Sequence, residues 1–209
     1  MDIPIAVPTD KSQLRKTLRK KRNSLSAHQQ RQAAIQLDRQ IARSGLLWRS
    51  RTIALYFAND GEIDPYLLVA RLMKYRAQCY FPVMMSNKSL KFVRFRPGDK
   101  LKKNHYGIPE PAQSSRGNLP LRKPWTIQLV LLPLVGFDRH GGRLGMGGGF
   151  YDRTFQGAQK KGTQLISSPL LVGLAHHCQE VDQLAIDSWD IPLSKLITDK
   201  ELITVPRHK

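Results

Sequence analysis

Two periods of hydrophobic spacing divide this chain. In residues 11–22, KSQLRKTLRKKR, Leu14 and Leu18 stand four apart in an otherwise polar run, as on one face of a short helix. A second helix is expected after Ser26, which forms a capping box with Gln29; Ala34, Leu37 and Ile41 follow at helical spacing and Gly45 supplies a stop. From residue 52 the apolar positions gather into short runs instead. Residues 52–57 read as a buried strand, Asp64-Pro65 opens a helix carrying Leu68, Leu72 and Tyr75, and residues 79–84 form a second strand. Strand, helix and strand at this spacing make a βαβ unit, for which a right-handed parallel crossover is the default.

Residues 90–95 predict an outer strand. Residues 97–124, with five prolines, predict a surface loop. Residues 127–135 are the most hydrophobic part of the chain, as expected of a central parallel strand buried on both faces. A helix over 151–160, a buried strand over 170–175 and a short final strand over 193–197 complete the pattern. The predicted fold is α/β: an open, mostly parallel sheet with helices on both faces, a Rossmann-like three-layer sandwich. At 209 residues the chain fits residues 1–10 as an N-terminal extension and 11–209 as a single α/β domain.

Charge narrows the partners. The 34 Lys plus Arg against 16 Asp plus Glu give a net +18, which favours anionic ligands without choosing among nucleotides, nucleic acids and acidic surfaces. The longest apolar stretch, 129–137, is broken by Pro133 and Gly136 and falls far short of a membrane helix. The N-terminus lacks the cationic start and apolar run of a secretory signal, so a cytoplasmic location is expected. Cys79 and Cys178 show no zinc spacing and read as reduced thiols in or near strands.

The most informative stretch is residues 137–152, FDRHGGRLGMGGGFYD, with six glycines among the nine positions 141–149. Following a central strand, such a loop lets several backbone N–H groups converge on phosphate oxygens, with the next helix behind it. It is neither a Walker A loop, since no Gly-Lys-Ser/Thr occurs, nor a G-x-G-x-x-G fingerprint, since Phe150 stands at the third glycine. By its glycines alone a flexible surface turn joining strand to helix is the favoured reading. Asp152 tilts the balance, because a carboxylate beside a phosphate cradle suits magnesium.

These residues fit F-D-x-x-G-x-R-L-G-x-G-x-G-[FY]-Y-D, and in that run the chain resembles the 5-formyltetrahydrofolate cyclo-ligases, also called methenyltetrahydrofolate synthetases. The similarity extends to Lys11-x-x-x-Arg15, Asp60-Gly61-Glu62-Ile63, Gly107-Ile108-Pro109-Glu110-Pro111 and Trp189-Asp190-Ile191-Pro192. It implies that the domain is catalytic, closing 5-formyltetrahydrofolate to 5,10-methenyltetrahydrofolate with release of ADP and phosphate, through a phosphorylated formyl (imidate) intermediate. ATP is then a co-substrate and Mg²⁺ a cofactor. One departure stands out: some members carry basic residues where this sequence has Met146 and Gly148.

The resemblance assigns ATP to Lys11, Arg15, Arg143, Leu144, Gly145, Met146, Gly147, Gly148, Gly149, Phe150 and Tyr151. It assigns the folate to Phe57, Glu62, Tyr106 and the shared loop positions Met146, Gly147, Gly148, Gly149 and Phe150, and the metal to Asp152 and Asp190. Glu62 suits the pterin's amino and ring N–H groups, and Phe57 and Tyr106 suit flat aromatic rings. Lys16, Arg19, Lys20, Lys21 and Arg22 are expected on a merely solvated basic face, and His176 and His177 at the cleft rim.

Two other functions fit parts of the pattern. A basic nucleic-acid-binding protein accounts for +18, yet no binding module is visible and the aromatics are not expected to interleave with basic residues in a stacking platform, so nucleic acid is not expected as a partner. A sugar-phosphate isomerase would need the glycine loop but neither ATP nor Mg²⁺. The expected partners are reduced folate and ATP, with no membrane and a monomeric chain, and the surplus cations are expected to converge on the cleft.

Overall fold

Helix α1 (Lys11–Asn23) starts where the Asp10 carboxylate accepts the Ser12 backbone N–H at 2.8 Å, and Lys20, Lys21 and Arg22 fall in its last turn, where cations complement the helix dipole. The computed structural model describes residues 10–112, 120–156, 169–187, 190–191 and 193–205. Helix α2 (Ala27–Arg43) carries the expected Ser26–Gln29 capping box and buries Ala33, Ala34, Leu37 and Ile41; it ends at Ser44, followed by Gly45 at φ 72°.

Strand β1 (Thr52–Ala54), helix α3 (Leu67–Lys74) and strand β2 (Gln78–Met84) form the expected parallel βαβ unit. The sheet continues with β3 (Leu90–Arg94), β6 (Leu129–Pro133), β9 (Leu170–Ala175), β10 (Lys195–Thr198) and β11 (Leu202–Thr204), in the order β11-β10-β9-β6-β1-β2-β3. The five inner strands are parallel; β3 and β11 pair antiparallel at the two edges. The fold is therefore the mostly parallel α/β sheet expected. One face packs Leu37, Ile41, Leu68 and Leu72 of α2 and α3 on Ile53, Phe81, Leu131 and Val172. The other packs Phe155 of α4 (Phe150–Phe155) on Val130, Leu132 and Leu196.

Four elements differ from the sequence reading. Residues 97–124 hold a hairpin, β4 (Leu101–Lys103) with β5 (Pro109–Pro111), closed by Gly107 at φ 75°. The prolines disguise it because a two-stranded ribbon leaves an outer edge where no N–H donor is needed. A second short hairpin, β7 (Gly136–Phe137) with β8 (Arg143–Leu144), stands inside the glycine-rich segment. β10 is not the last strand: the chain reverses after it into β11. Helix α4 ends at Phe155 with one further turn residue; residues 157–160 of the expected helix lie outside the described residues, as do 1–9 of the extension, Trp189 and Pro192.

Chain order reverses beside β1, with β2 laid on one side of it and β6, β9 and β10 on the other. The loops after β1 and β6 consequently part at the carboxyl edge and leave a crevice there, the usual ligand position of open α/β sheets. Helix α1 covers neither sheet face. Leu14 and Leu18 bury against Val135, Leu144, Val181 and Leu184 at the carboxyl end, each contributing about 2 kcal/mol by apolar burial. Among the described residues no helix is long and apolar enough to cross a membrane.

Candidate active site

The glycine-rich segment is built, not slack. Asp138, 1% exposed, accepts the backbone N–H groups of His140 (2.9 Å), Gly142 (2.8 Å) and Leu184 (2.8 Å), which shapes the β7–β8 turn and ties it to the chain beyond β9. A Cβ on Gly142 would lie 2.4 Å from Asp138 Oδ2, so a glycine is needed there. Beyond β8, Gly147 (φ 91°) lies against the Arg15 guanidinium and Gly149 (φ 65°) starts α4. This order excludes the flexible-turn reading.

Every residue assigned from the sequence lines one cavity of about 1010 Å³: Lys11, Arg15, Phe57, Glu62, Tyr106, Arg143, Leu144, the loop from Gly145 through Gly149, Phe150, Tyr151, Asp152 and Asp190. The cavity wall holds two chemically different sets of groups. In the cationic set Lys11 Nζ reaches Asp187 Oδ2 at 2.5 Å and Asp190 Oδ2 at 3.7 Å, and Arg15 Nε donates to the Gly145 carbonyl at 2.9 Å. Arg143, its side chain 7% exposed, pairs through Nη2 with Asp152, while its buried Nη1 has no partner among the described residues. Burial lowers the Arg143 pKa, and Asp152 and Asp190 oppose that shift. A desolvated guanidinium in the wall of a cavity is arranged for an anionic acceptor.

Aromatic and carboxylate groups make up the other set. Phe57 stacks on Phe81 (4.1 Å) and meets Phe95 edge-on (5.5 Å), so it serves both core and wall. Tyr106, 51% exposed on the β4–β5 turn, lies edge-on to Phe150 at 6.0 Å. Glu62 accepts the Asn59 N–H at 3.2 Å; burial pushes its carboxyl up to about 7 although Arg22 pulls the other way. Burial and the nearby Glu62 also raise the Tyr151 hydroxyl.

Two expectations fail for a shared reason, that helix α1 lies on the site rather than in solvent. Arg22 is 0% exposed: its guanidinium donates to the Asp60 carbonyl (2.8 Å), the Asp60 carboxylate (3.0 Å) and the Leu134 carbonyl (3.2 Å). Arg19 donates to Asp60 Oδ2 at 2.6 Å and also lines the cavity. Burial would raise the Asp60 carboxyl, but hydrogen bonds from Arg19, Asn23 and Arg22 outweigh it and hold it at about 2. The loop carrying Glu62 is thereby clamped between the strand ends and α1. The histidines are also misplaced by the sequence reading. His176 is buried with Nε2 3.2 Å from the Gly61 carbonyl, and His177 faces Glu180 and Glu201, which Arg139 bridges, away from the cavity.

A family model described as the 5-formyltetrahydrofolate cyclo-ligase family matches residues 7–199. The chain belongs to this family. It is 38% identical over 189 residues to the 5-formyltetrahydrofolate cyclo-ligase of Haemophilus influenzae, covering 90% of this chain and 96% of the relative. It is 35% identical over 187 residues to that of Escherichia coli strain K12, covering 88% and 98%. Among solved structures it superimposes on the 5,10-methenyltetrahydrofolate synthetase of Aquifex aeolicus with a TM-score of 0.78 at 28% identity, covering 95% of this chain and 94% of the other.

Three further groups of this cyclo-ligase cavity escaped the sequence reading. Glu110, 5% exposed, accepts the Met84 N–H at 3.0 Å and Asn104 Nδ2 at 2.9 Å, joining the β4–β5 hairpin to the end of β2. Its place in the Gly107–Pro111 similarity was the available signal. Arg153, which closes the glycine-rich stretch directly after Asp152, and Asp187, which sits in no run that distinguishes it from an ordinary surface charge, also line the cavity.

Proposed function

We propose that this protein converts 5-formyltetrahydrofolate to 5,10-methenyltetrahydrofolate, consuming ATP and releasing ADP and phosphate. The observation that carries the reading is one cavity whose wall combines cations and a glycine-rich loop with aromatic rings and the Glu62 carboxylate. A formamide is a poor electrophile and its oxygen a poor leaving group. Transfer of the γ-phosphoryl group to that oxygen gives an activated imidate; N10 then attacks the formyl carbon, the new C–N bond closes the ring, and the oxygen departs within phosphate. The protein's part is to position both substrates and balance charge.

In this reading Arg143, Arg15 and the N–H groups from Gly145 to Gly149 meet the phosphates, and Lys11 leaves Asp187 and Asp190 to join them. Phe57, Tyr106 and Phe150 flank the folate rings, with the Glu62 carboxylate accepting pterin N–H groups. Asp152 and Asp190 fit Mg²⁺, since both are carboxylates on the cavity wall now balanced by side-chain cations. When bound, Mg²⁺ would neutralise charge on the transferring phosphoryl group. One chain supplies every group of the cavity, which supports a monomer, and the free thiols Cys79 and Cys178 suit the cytoplasm. Purified protein given 5-formyltetrahydrofolate, Mg²⁺ and ATP should develop the methenyl chromophore; folded protein that yields none with ATP present overturns the reading.

A further inference from the structure

The surplus positive charge does not gather at the cleft as the sequence suggested. Among the described residues the five cations lining it, Lys11, Arg15, Arg19, Arg143 and Arg153, are outnumbered there by six carboxylates, Asp60, Glu62, Glu110, Asp152, Asp187 and Asp190. The opposite pole, where the parallel strands begin, has a different balance. Segments 47–52, 74–78, 94–96 and 120–128 each carry two cations, eight in all, and no acid. Hydrogen bonds join three of them edge to edge: Gln78 N–H to the Arg51 carbonyl (2.7 Å), Arg51 N–H to Gln128 Oε1 (2.5 Å) and Arg51 Nη1 to the Tyr75 carbonyl (3.4 Å). Arg49, Arg51, Lys74, Arg76 and Lys123 are exposed, and none is ion-paired among the described residues.

Exposed aromatic rings occupy the same pole. Trp48 is 66% exposed and packs on Tyr75 with ring centroids 4.3 Å apart; Trp125 is 42% exposed under the Lys123 ammonium at 5.6 Å. Trp48, Arg51, Lys74, Tyr75 and Arg76 line a shallow cavity of about 280 Å³. We propose that this pole binds single-stranded nucleic acid, with bases stacking on Trp48 and Trp125 and phosphates lying over Arg49, Arg51, Lys74 and Arg76. Unpaired cations interleaved with exposed rings are what a single strand needs, since every base has a face to stack and every link a charge. The concave surface at Trp48 suits an inserted base better than a bilayer, which is entered by a protruding apolar face.

The test uses the full chain and a fluorescein-labelled uridine 12-mer, with MgATP and 5-formyltetrahydrofolate present to fill the catalytic cavity. Binding should persist under those ligands and weaken steeply with salt. Trp48→Ala should weaken it by about tenfold, the loss of one stacked base. The double variant Arg49→Glu with Lys74→Glu, both on exposed side chains, should weaken it further while folate turnover stays at the wild-type rate. Binding that ATP abolishes would belong to the catalytic cleft and overturn the proposal. So would no binding at low salt, equal binding by all the variants, or capture by phosphatidylserine vesicles without affinity for the oligonucleotide. These outcomes are separable from failure of the cyclo-ligase reading, because chromophore formation is measured on the same samples.

Discussion

At Glu62 one side chain links pH to both stability and substrate binding. Its folded pKa of about 7 lies above the usual 4.5, so between those values the unfolded chain ionises while the folded chain keeps its proton. Stability from this group is complete below about pH 4.5, declines up to about pH 7 and is flat beyond; Glu62→Gln should remove that decline, a difference on the order of 1–3 kcal/mol in denaturant titrations at pH 8. If the carboxylate accepts pterin N–H groups, KM for the folate should rise as pH falls below about 7 in the parent protein and be high at every pH in the variant. The loop glycines give a second contrast. A Cβ on Gly148 would stand 2.6 Å from the Phe150 ring, whereas Met146 is 51% exposed. Met146→Lys should lower KM for ATP several-fold, worth about 1 kcal/mol for one charge-assisted contact. Gly148→Lys should instead raise KM for the folate by displacing Phe150.

Helix α1 and the loop after β1 behave as one element because Arg22 joins them from a fully buried position. Arg22→Ala would leave the Asp60 carbonyl and part of the Asp60 charge without their donor and the Leu134 carbonyl with Gln179 Nε2 alone, at a cost of about 2–4 kcal/mol. Arg22→Lys should recover little, since one ammonium cannot reproduce the planar fork that reaches three acceptors. Chemical denaturation measures the first loss, and a rise in the folate KM larger than that in the ATP KM would locate the disturbance at the Glu62 loop. This clamp was only partly legible in the sequence: Arg22 continues the spacing of Leu14 and Leu18 and so shares their buried face, but nothing in a basic run with Lys20 and Lys21 names Asp60 and Leu134 as its partners. The glycine hairpin was half legible. Its composition announced a ligand loop, but its rigidity comes from Asp138 reaching Leu184 across 46 positions.

Across the whole molecule, the cavity is walled by α1, the segments after β1 and β6, the β4–β5 hairpin and Asp187 and Asp190 beyond β9. Ligands that fill it should therefore join segments distant in sequence. A nucleotide at 100 times its Kd should add about 2.7 kcal/mol, read as a rise in Tm in a thermal scan. Part of that rise should depend on Mg²⁺. Asp152→Asn should abolish the Mg²⁺-dependent part and retain a metal-independent rise, because the amide removes the charge that holds the ion while the glycine loop remains; a full Mg²⁺-dependent shift in the variant would remove Asp152 from the metal's surroundings.

The sequence by itself determined the α/β class, the βαβ unit, the two N-terminal helices and the identity of the glycine-rich segment, because helix and strand periods, capping and glycine spacing are local and survive without knowledge of the fold. The tertiary structure alone decided that α1 lies over the site, that Arg19 and Arg22 are pinned to Asp60, and that Glu110, Arg153 and Asp187 reach the cavity. It also decided that Trp48, Tyr75 and Trp125, 27 and 50 positions apart in turn, share one basic pole. Parallel strands impose this. Each crossover carries the chain back to the same edge, so segments far apart in sequence begin side by side at one end of the sheet and finish side by side at the other.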